Sequence, residues 1–466
     1  MTLWRPTLSD RRGPLFQRIA EALADAVMAG ELPPGTRLPP QRDLAFDLGV
    51  SLQTVSRAYA EAITRGFARG EVGRGTYVRG PVPAPAPPPP ADLARPTAGP
   101  IDLARGLPTP GHADADLART LTALAGTNAL AGLLDDQTGA TEPTGAAEAG
   151  AQWMARLGLD AAPERIVLTC GAQHGLLSAL MATTRPGGVL LTDALTYAPI
   201  RAMAEHLGLR LVPVAAVPDG CLDPDALDAA CRRVSARALF CMPTLHTPTT
   251  ATWSDERRAA IAAIARRHDL TLIEDDVFGA LPPERPRPLA THAPERTLVL
   301  ASTSKSLGPG LRIGYVHGPA DRITAVRAAA TLSGWMVPPL MAEIARRWVQ
   351  DGTADRLNAT RRADTAARQA LARARLPADL CRSDPHGFHV WLTLPPGWHP
   401  DVFRLEAQAR GVAVVSASVF AVDPTAVPAA VRLCLTHERA PERVATGLDI
   451  IADLLRSPPP REQPVV

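Results

Sequence analysis

Between Pro81 and Pro100 the chain reads PVPAPAPPPPADLARPTAGP, with nine prolines in twenty residues. Proline has no amide hydrogen and a fixed φ, so no helix or sheet interior runs through such a segment. It makes a stiff, extended spacer. That feature divides the 466 residues into a small module, 1–80, and a large one, 101–456, on separate cores. The tail 457–466, SPPPREQPVV, reads as disordered.

Hydrophobic residues make up 46% and charged residues 21%, a globular profile with ample core for a large domain. A net charge of +2 names no partner, so any nucleic-acid surface has to be local. The first 80 residues carry 11 Arg against 8 Asp and Glu, which is compatible with DNA binding and diagnostic of nothing. Six cysteines (Cys170, Cys221, Cys231, Cys241, Cys381, Cys434) stand apart with no CxxC pair, as reduced thiols do, and no metal site is expected. No signal-peptide core opens the sequence, and no apolar run approaches the ~20 residues of a membrane span. A cytoplasmic protein with no membrane partner is expected.

In the small module, Leu15, Ile19, Leu23 and Val27 recur at a helical interval from Pro14 to Met28. Leu38-Pro39-Pro40 precedes a short helix, Gln41 to Leu48; Gly49 breaks it, and Ser51 can cap the next, through Thr64. Ala68–Val72 and Thr76–Arg79 then flank Gly73-Arg74-Gly75, a hairpin with a basic tip. Two helices joined by a glycine turn and followed by a hairpin make a winged helix-turn-helix. A small helical oligomerisation domain is the competing reading, and the wing glycines and turn spacing weigh against it.

Residues 14–80 resemble the DNA-binding module of the GntR family. The resemblance implies that the helix capped by Ser51 enters the major groove, with Gln53, Thr54 and Arg57 near base edges and phosphates. It also implies Arg42 on a phosphate and the wing residues Arg74 and Thr76 near the minor groove. Leu52 stands where the family usually has arginine, which removes one contact.

After the spacer, short apolar runs alternate with amphipathic stretches. Strands are expected at Ile166–Thr169, Val189–Thr192, Leu209–Val214, Ala238–Met242, Leu270–Glu274 and Leu298–Ala301. Helices are expected from Ala172 and Pro199, over Pro224–Arg233 and over Ser254–Arg267. The alternation predicts an α/β domain with a parallel sheet. Beyond about 320, long helical patterns give way to short strands (Phe388–Leu392, Val412–Val415, Val431–Leu433) and a closing helix, a smaller α+β subdomain.

Lys and Arg number 49 together, and one alone is lysine: Lys305, in STSKSLGPGLR. A GC-rich coding bias exchanges surface lysines for arginine but does not explain one survivor between serines and ahead of Arg312. Lysine can lose a proton and condense with an aldehyde, and arginine cannot. Other features fall at strand ends, where ligands of open α/β sheets collect. Gly171-Ala172-Gln173 opens a helix whose free N–H groups suit a phosphate, and Ser302, Ser304 and Arg312 can complete that site. Asp275 can hold a protonated pyridine nitrogen, and Tyr197 can lie on an aromatic ring.

In this order and spacing, IVLTCGAQHG, LIEDDVFGAL and STSKSLGPGLRIGY resemble the fold-type I aminotransferases, from about Gly106 to Leu455. The resemblance implies pyridoxal 5′-phosphate as cofactor, held as a Schiff base on Lys305, with Asp275 keeping its ring protonated as an electron sink. It implies Arg432 as the partner of an effector carboxylate. Thr247 stands in place of the asparagine that bonds the cofactor 3-hydroxyl, and Phe278 in place of the tyrosine that does so too. Leu134-Asp135-Asp136-Gln137 shows no tyrosine for the partner subunit's phosphate. Weakened control of the imine should hurt turnover more than cofactor retention.

A winged helix, a proline linker and an aminotransferase-like domain together resemble the MocR subgroup of GntR regulators. The resemblance implies a transcription regulator that senses an amino-group effector, or the cofactor itself, through pyridoxal phosphate, without sustained catalysis. Double-stranded operator DNA, a small amine or amino acid, and a second copy in a homodimer with exchanged domains are the expected partners. Two rivals stand beside it: an active aminotransferase with autoregulatory DNA binding, and a cofactor-free dimerisation scaffold.

Overall fold

The computed structural model describes residues 4–8, 13–64, 67–71, 75–78, 99–126, 130, 132–134 and 145–459. Arg74, residues 81–98 of the spacer, 135–137 and 460–466 of the tail lie outside them. The chain forms two compact units, Met1–Ala98 and Gly99–Val466.

In the first unit, α1 (Leu15–Met28) starts directly after Pro14, whose fixed φ suits the residue before a helix. Its Ile19 and Leu23 meet Leu44 of α2 (Gln41–Leu48) and Val55, Ala58 and Tyr59 of α3 (Leu52–Thr64) in one core. Gly49 ends α2 at φ 65°, a left-handed conformation that suits glycine. The Ser51 hydroxyl then accepts from the Thr54 N–H at 3.2 Å and caps α3. Tyr59 Oη donates to the Pro39 carbonyl at 2.8 Å and ties α3 to the turn before α2. Strands β1 (Ala68–Glu71) and β2 (Gly75–Val78) pair antiparallel, and Arg37 bridges to Tyr77 on the wing's other side.

The second unit opens with β3 (Ile101–Asp102), α4 (Asp114–Ala125) and α5 (Ala146–Arg156). Its main run is β4 (Ile166–Thr169), α6 (Ala172–Thr183), β5 (Val189–Asp193), α7 (Pro199–His206), β6 (Arg210–Val214), α8 (Pro224–Arg233), β7 (Ala236–Cys241), α9 (Asp255–Arg267), β8 (Thr271–Asp275), β9 (Thr297–Ser302) and β10 (Gly314–His317). These seven strands form one sheet in the order β4-β10-β9-β8-β7-β5-β6. Every residue of β4, β5, β8 and β9 is buried, as expected of strands covered on both faces.

The sheet is mixed rather than parallel. β10, next to the edge strand β4, runs antiparallel to both β4 and β9 and was not expected from the sequence. The link from β9 to β10 holds a short turn, Pro309–Leu311, and no crossover helix. A chain that reverses without a crossover has to return antiparallel.

Helices α10 (Ala320–Gly334), α11 (Pro339–Gln350) and α12 (Thr353–Arg373) lead to the small subdomain. There β11 (Cys381–Ser383), β12 (His389–Thr393), β14 (Val415–Ser416) and β15 (Ala430–Cys434) form an antiparallel sheet, order β11-β12-β15-β14. Helices α13 (Pro400–Ala409) and α14 (Pro441–Arg456) cover it. The single strand expected at Val412–Val415 is two: β13 (Val412–Ala413) pairs parallel with β3, while β14 pairs with β15. So the first residues after the spacer belong to the small subdomain, tied by the Ile101 N–H to Gly411 and the Leu103 N–H to Ala413 at 2.7 and 2.9 Å. Among the described residues, no helix is long and apolar enough to cross a membrane.

Candidate functional site

Of the eleven residues expected at the cofactor and effector site, ten line one cavity of about 390 Å³. They are Ala172, Gln173, Tyr197, Thr247, Asp275, Ser302, Ser304, Lys305, Arg312 and Arg432. The eleventh, Gly171, stands directly behind Arg312.

One end is a cradle. β4 stops, Gly171 turns at φ 83°, and α6 begins with its free N–H groups at the cavity. A Cβ on Gly171 would lie 2.6 Å from Arg312 Nη2, and one on Gly314 would lie 2.6 Å from the Gly171 carbonyl carbon. Both positions therefore need glycine for the backbones to approach. Arg312, in the left-handed region at φ 54°, donates through Nη2 to the Cys170 carbonyl at 2.8 Å. Ser302 ends β9; its hydroxyl bonds Ser304 Oγ at 3.0 Å and accepts from the Ser304 N–H at 3.1 Å.

At the cavity's centre, Asp275 is the last residue of β8, one later than the strand expected from sequence. Its Oδ1 accepts from the Val277 N–H at 3.2 Å. Burial raises its pKa to about 7, and neighbouring Asp276 adds to the rise while Lys305 opposes it. Behind it the buried Arg258 joins Glu274 Oε1 at 3.3 Å to the Pro243 carbonyl and Thr244 Oγ1 at 2.8 and 3.0 Å. That clamp holds the ends of β7 and β8 together, and with them Asp275 and the segment leading to Thr247.

Lys305 Nζ donates to the Gly106 carbonyl and lies 5.3 Å from the Phe278 ring centroid. Burial lowers its pKa to about 8, and the positive charges of Arg432 and Arg312 push the same way. Tyr197 Oη reaches Gln173 Oε1 at 3.5 Å, and burial pushes that phenol up to about 12. Arg432 in β15 donates to the Ala104 carbonyl at 2.8 Å, stacks 4.8 Å over Phe420, and leaves its buried Nε without a hydrogen-bond partner.

Among the lining residues that the sequence did not mark are Arg105, Gly106 and His389. His389 is buried, and its pKa falls to about 3 through burial, then Arg432. The signal that could have found it is a polar residue inside the apolar run Phe388–Leu392.

In the first unit, Arg42, Ser51, Gln53 and Arg57 are exposed, while Thr54 and Thr76 are half-buried. Arg42, Leu52 and Thr76 share one cleft with Arg37, which the sequence reading missed. Arg57 stacks its guanidinium 4.0 Å over the Phe16 ring of α1, so it is anchored to its own domain.

These groups fit pyridoxal phosphate. The cradle offers N–H groups, hydroxyls and a guanidinium to the phosphate; Asp275 is a buried carboxyl suited to a cationic ring nitrogen; Lys305 is the amine. A sheet of this topology with this cavity defines a pyridoxal-phosphate-dependent domain, and here it follows a winged helix. Residues 102–448 match the family "Aminotransferase class I and II", and the chain belongs to it. Residues 15–78 match "Bacterial regulatory proteins, gntR family", the domain pair of the MocR subgroup. The uncharacterized HTH-type transcriptional regulator YdeF of Bacillus subtilis is 28% identical, over 97% of this chain and 96% of its own. The vitamin B6 salvage pathway transcriptional repressor PtsJ of Salmonella typhimurium is 29% identical, over 87% of this chain and 93% of its own. The crystal structure of an archaeal alanine:glyoxylate aminotransferase superposes with a TM-score of 0.68 at 23% identity, over 77% of this chain and 91% of that one.

Proposed function

We propose that this protein is a DNA-binding transcription regulator whose aminotransferase-like domain holds pyridoxal phosphate on Lys305 and reads an amino-group effector. The observation that carries it is the pairing, in one chain, of an exposed Gln53 on a capped helix with a cavity fitted to that cofactor. Similarity to named HTH-type regulators along nearly the whole chain supports it.

When bound, the cofactor supplies an aldehyde that condenses with amines and a ring that accepts electrons. This chain's residues do the rest. Ser302, Ser304, Arg312 and the α6 N-terminus would hold the phosphate, Tyr197 would pack on the ring, Asp275 would hold the proton at the ring nitrogen, and Thr247 would serve the 3-hydroxyl. With its pKa lowered to about 8, Lys305 is an uncharged nucleophile in a usable fraction at neutral pH. Arg432 orients an effector carboxylate. Phe278 offers no hydroxyl near Lys305, which favours retention of the cofactor over turnover.

An effector that favours one arrangement of the small subdomain shifts operator affinity, with couplings of ~1–3 kcal/mol typical. The Salmonella relative's place in vitamin B6 salvage makes the cofactor itself a second candidate effector. The protein works in the cytoplasm as a homodimer with winged helices exchanged between subunits, reading paired half-sites. Leu332 and Trp335, 80% and 60% exposed, support a surface that a second copy covers.

Borohydride reduction of cofactor-loaded protein should fix one phosphopyridoxyl group on Lys305, read by mass analysis. Unmodified protein would overturn the reading. The rival, an active aminotransferase with autoregulatory DNA binding, is favoured by retention of Arg432 in the cavity; sustained turnover with an amino acid and a 2-oxo acid would select it.

A further inference from the structure

Arg105 has no role in the reading above, yet it lines the same cavity. Its two neighbours are held by the site's cations: the Ala104 carbonyl accepts from Arg432 Nη2 at 2.8 Å, and the Gly106 carbonyl accepts from Lys305 Nζ. A tight turn, Leu107 N–H to the Arg105 carbonyl at 2.9 Å, fixes the segment further. The residue is thereby placed at the cavity wall between the amine and the carboxylate-binding arginine.

Its own guanidinium is loosely engaged. Arg105 Nε lies 3.4 Å from Asp102 Oδ2, with the arginine side chain 40% exposed. Asp102 Oδ1 is already an acceptor for the Ala104 and Arg105 N–H groups at 3.0 and 3.2 Å. A pair of that length, with the arginine partly exposed, is weak and exchanges for a better partner.

The cavity wall is rich in cations, and one of them has no assigned contact. Among the described lining residues there are four cations, Arg105, Lys305, Arg312 and Arg432, against one carboxylate, Asp275. Arg312 belongs to the phosphate cradle, Lys305 is the amine for the aldehyde, and Asp275 is the carboxyl for the ring nitrogen, so each of these has an assigned contact. One effector carboxylate answers Arg432. Arg105 still faces the cavity with a fork of donors suited to a second acidic group.

We infer that the effector is a dianionic amine: an amino group with one carboxylate for Arg432 and a second acid, carboxylate, sulfonate or phosphate, for Arg105. This rests on the reading of the domain as a pyridoxal phosphate sensor and specifies its ligand class. Binding exchanges the Asp102 contact for the ligand's, in the strand that directly follows the spacer.

The test titrates full-length, cofactor-loaded protein with matched amines, glutamate against norvaline and O-phosphoserine against serine, following the cofactor absorbance. The dianionic member of at least one pair should bind roughly tenfold tighter or more. Arg105→Gln should abolish that preference and leave norvaline and serine unchanged. Calorimetry with glutarate against butyrate, which carry no amine, should show the same dependence on Arg105 without relying on the spectrum. Equal affinity within both pairs, or a preference that survives Arg105→Gln, overturns the inference. Response to monoanionic amines alone overturns it while leaving the sensor reading intact. No response to any amine overturns amine sensing and the inference together.

Discussion

The guanidinium of Arg312 occupies the space where a side chain on Gly171 would begin, its Nη2 2.6 Å from that point. Gly171 also turns at φ 83°, so an L side chain there meets strain and a clash at once. Gly171→Ala should weaken pyridoxal phosphate binding by about tenfold or more, because Arg312 is pushed out of the cradle. Operator binding by the cofactor-free protein should stay unchanged. Equilibrium fluorescence titration with the cofactor, beside a gel-shift assay, checks both halves.

The pKa of Lys305, about 8, has two consequences with a definite sign. The rate of covalent cofactor capture should rise with pH up to a midpoint near 8, since the neutral amine is the nucleophile. Arg432→Gln should move that midpoint upward by removing a cation that depresses it. Burial also makes the protonated lysine costlier in the folded than in the unfolded chain. The unfolded chain therefore binds more protons between pH 8 and about 10.5, and cofactor-free protein gains stability across that window. Lys305→Met should stabilise the cofactor-free protein at pH 7 by about 1–3 kcal/mol, a gain that shrinks above pH 8. Denaturant unfolding at several pH values measures it.

Arg57 and Arg42 should separate in behaviour. Arg57 packs over Phe16, so Arg57→Ala should cost about 0.5–1 kcal/mol of winged-helix stability besides any effect on DNA. Arg42→Ala should leave stability alone and weaken operator and random duplex alike, as phosphate contacts do. Gln53→Ala should narrow the gap between operator and random DNA, by about 1–3 kcal/mol where a base contact is lost. Thermal melts and binding at two salt concentrations distinguish the three.

Phe278 packs edge-on against Phe388, centroids 5.5 Å apart, and lies 5.3 Å from Lys305 Nζ. Phe278→Tyr combined with Thr247→Asn would return both missing 3-hydroxyl partners. Transamination of an amino acid with a 2-oxo acid should rise at least ~10-fold over wild type if those groups limit turnover. An unchanged rate in a coupled assay would trace the limit elsewhere.

Much of this protein was legible in its sequence because its chemistry demands particular residue types. A lone lysine among 48 arginines, an aspartate closing an apolar run, and serines before a glycine turn mark themselves locally. So do the strands and helices, whose periodicities of two and 3.6 residues are written within a few turns of chain. Helix Pro224–Arg233 begins and ends where its sequence says, with Asp223 accepting from the Asp225 N–H as its cap.

What tertiary structure decided are relations between segments far apart. β10 is four residues long and runs against both its neighbours beside the sheet's edge; its direction depends on which neighbours it meets, and no local pattern records that. Lys305 meets Gly106 across 199 positions, and Arg432 meets Ala104 across 328. Arg57 looks like any exposed helical arginine until α1 brings Phe16 beneath it. Arg105 and His389 become cavity walls only when the small subdomain folds against the large one. Side-chain chemistry is a property of single residues and survives in the sequence. Proximity is a property of the packed chain, because burial and steric fit act between surfaces that the backbone has first to bring together.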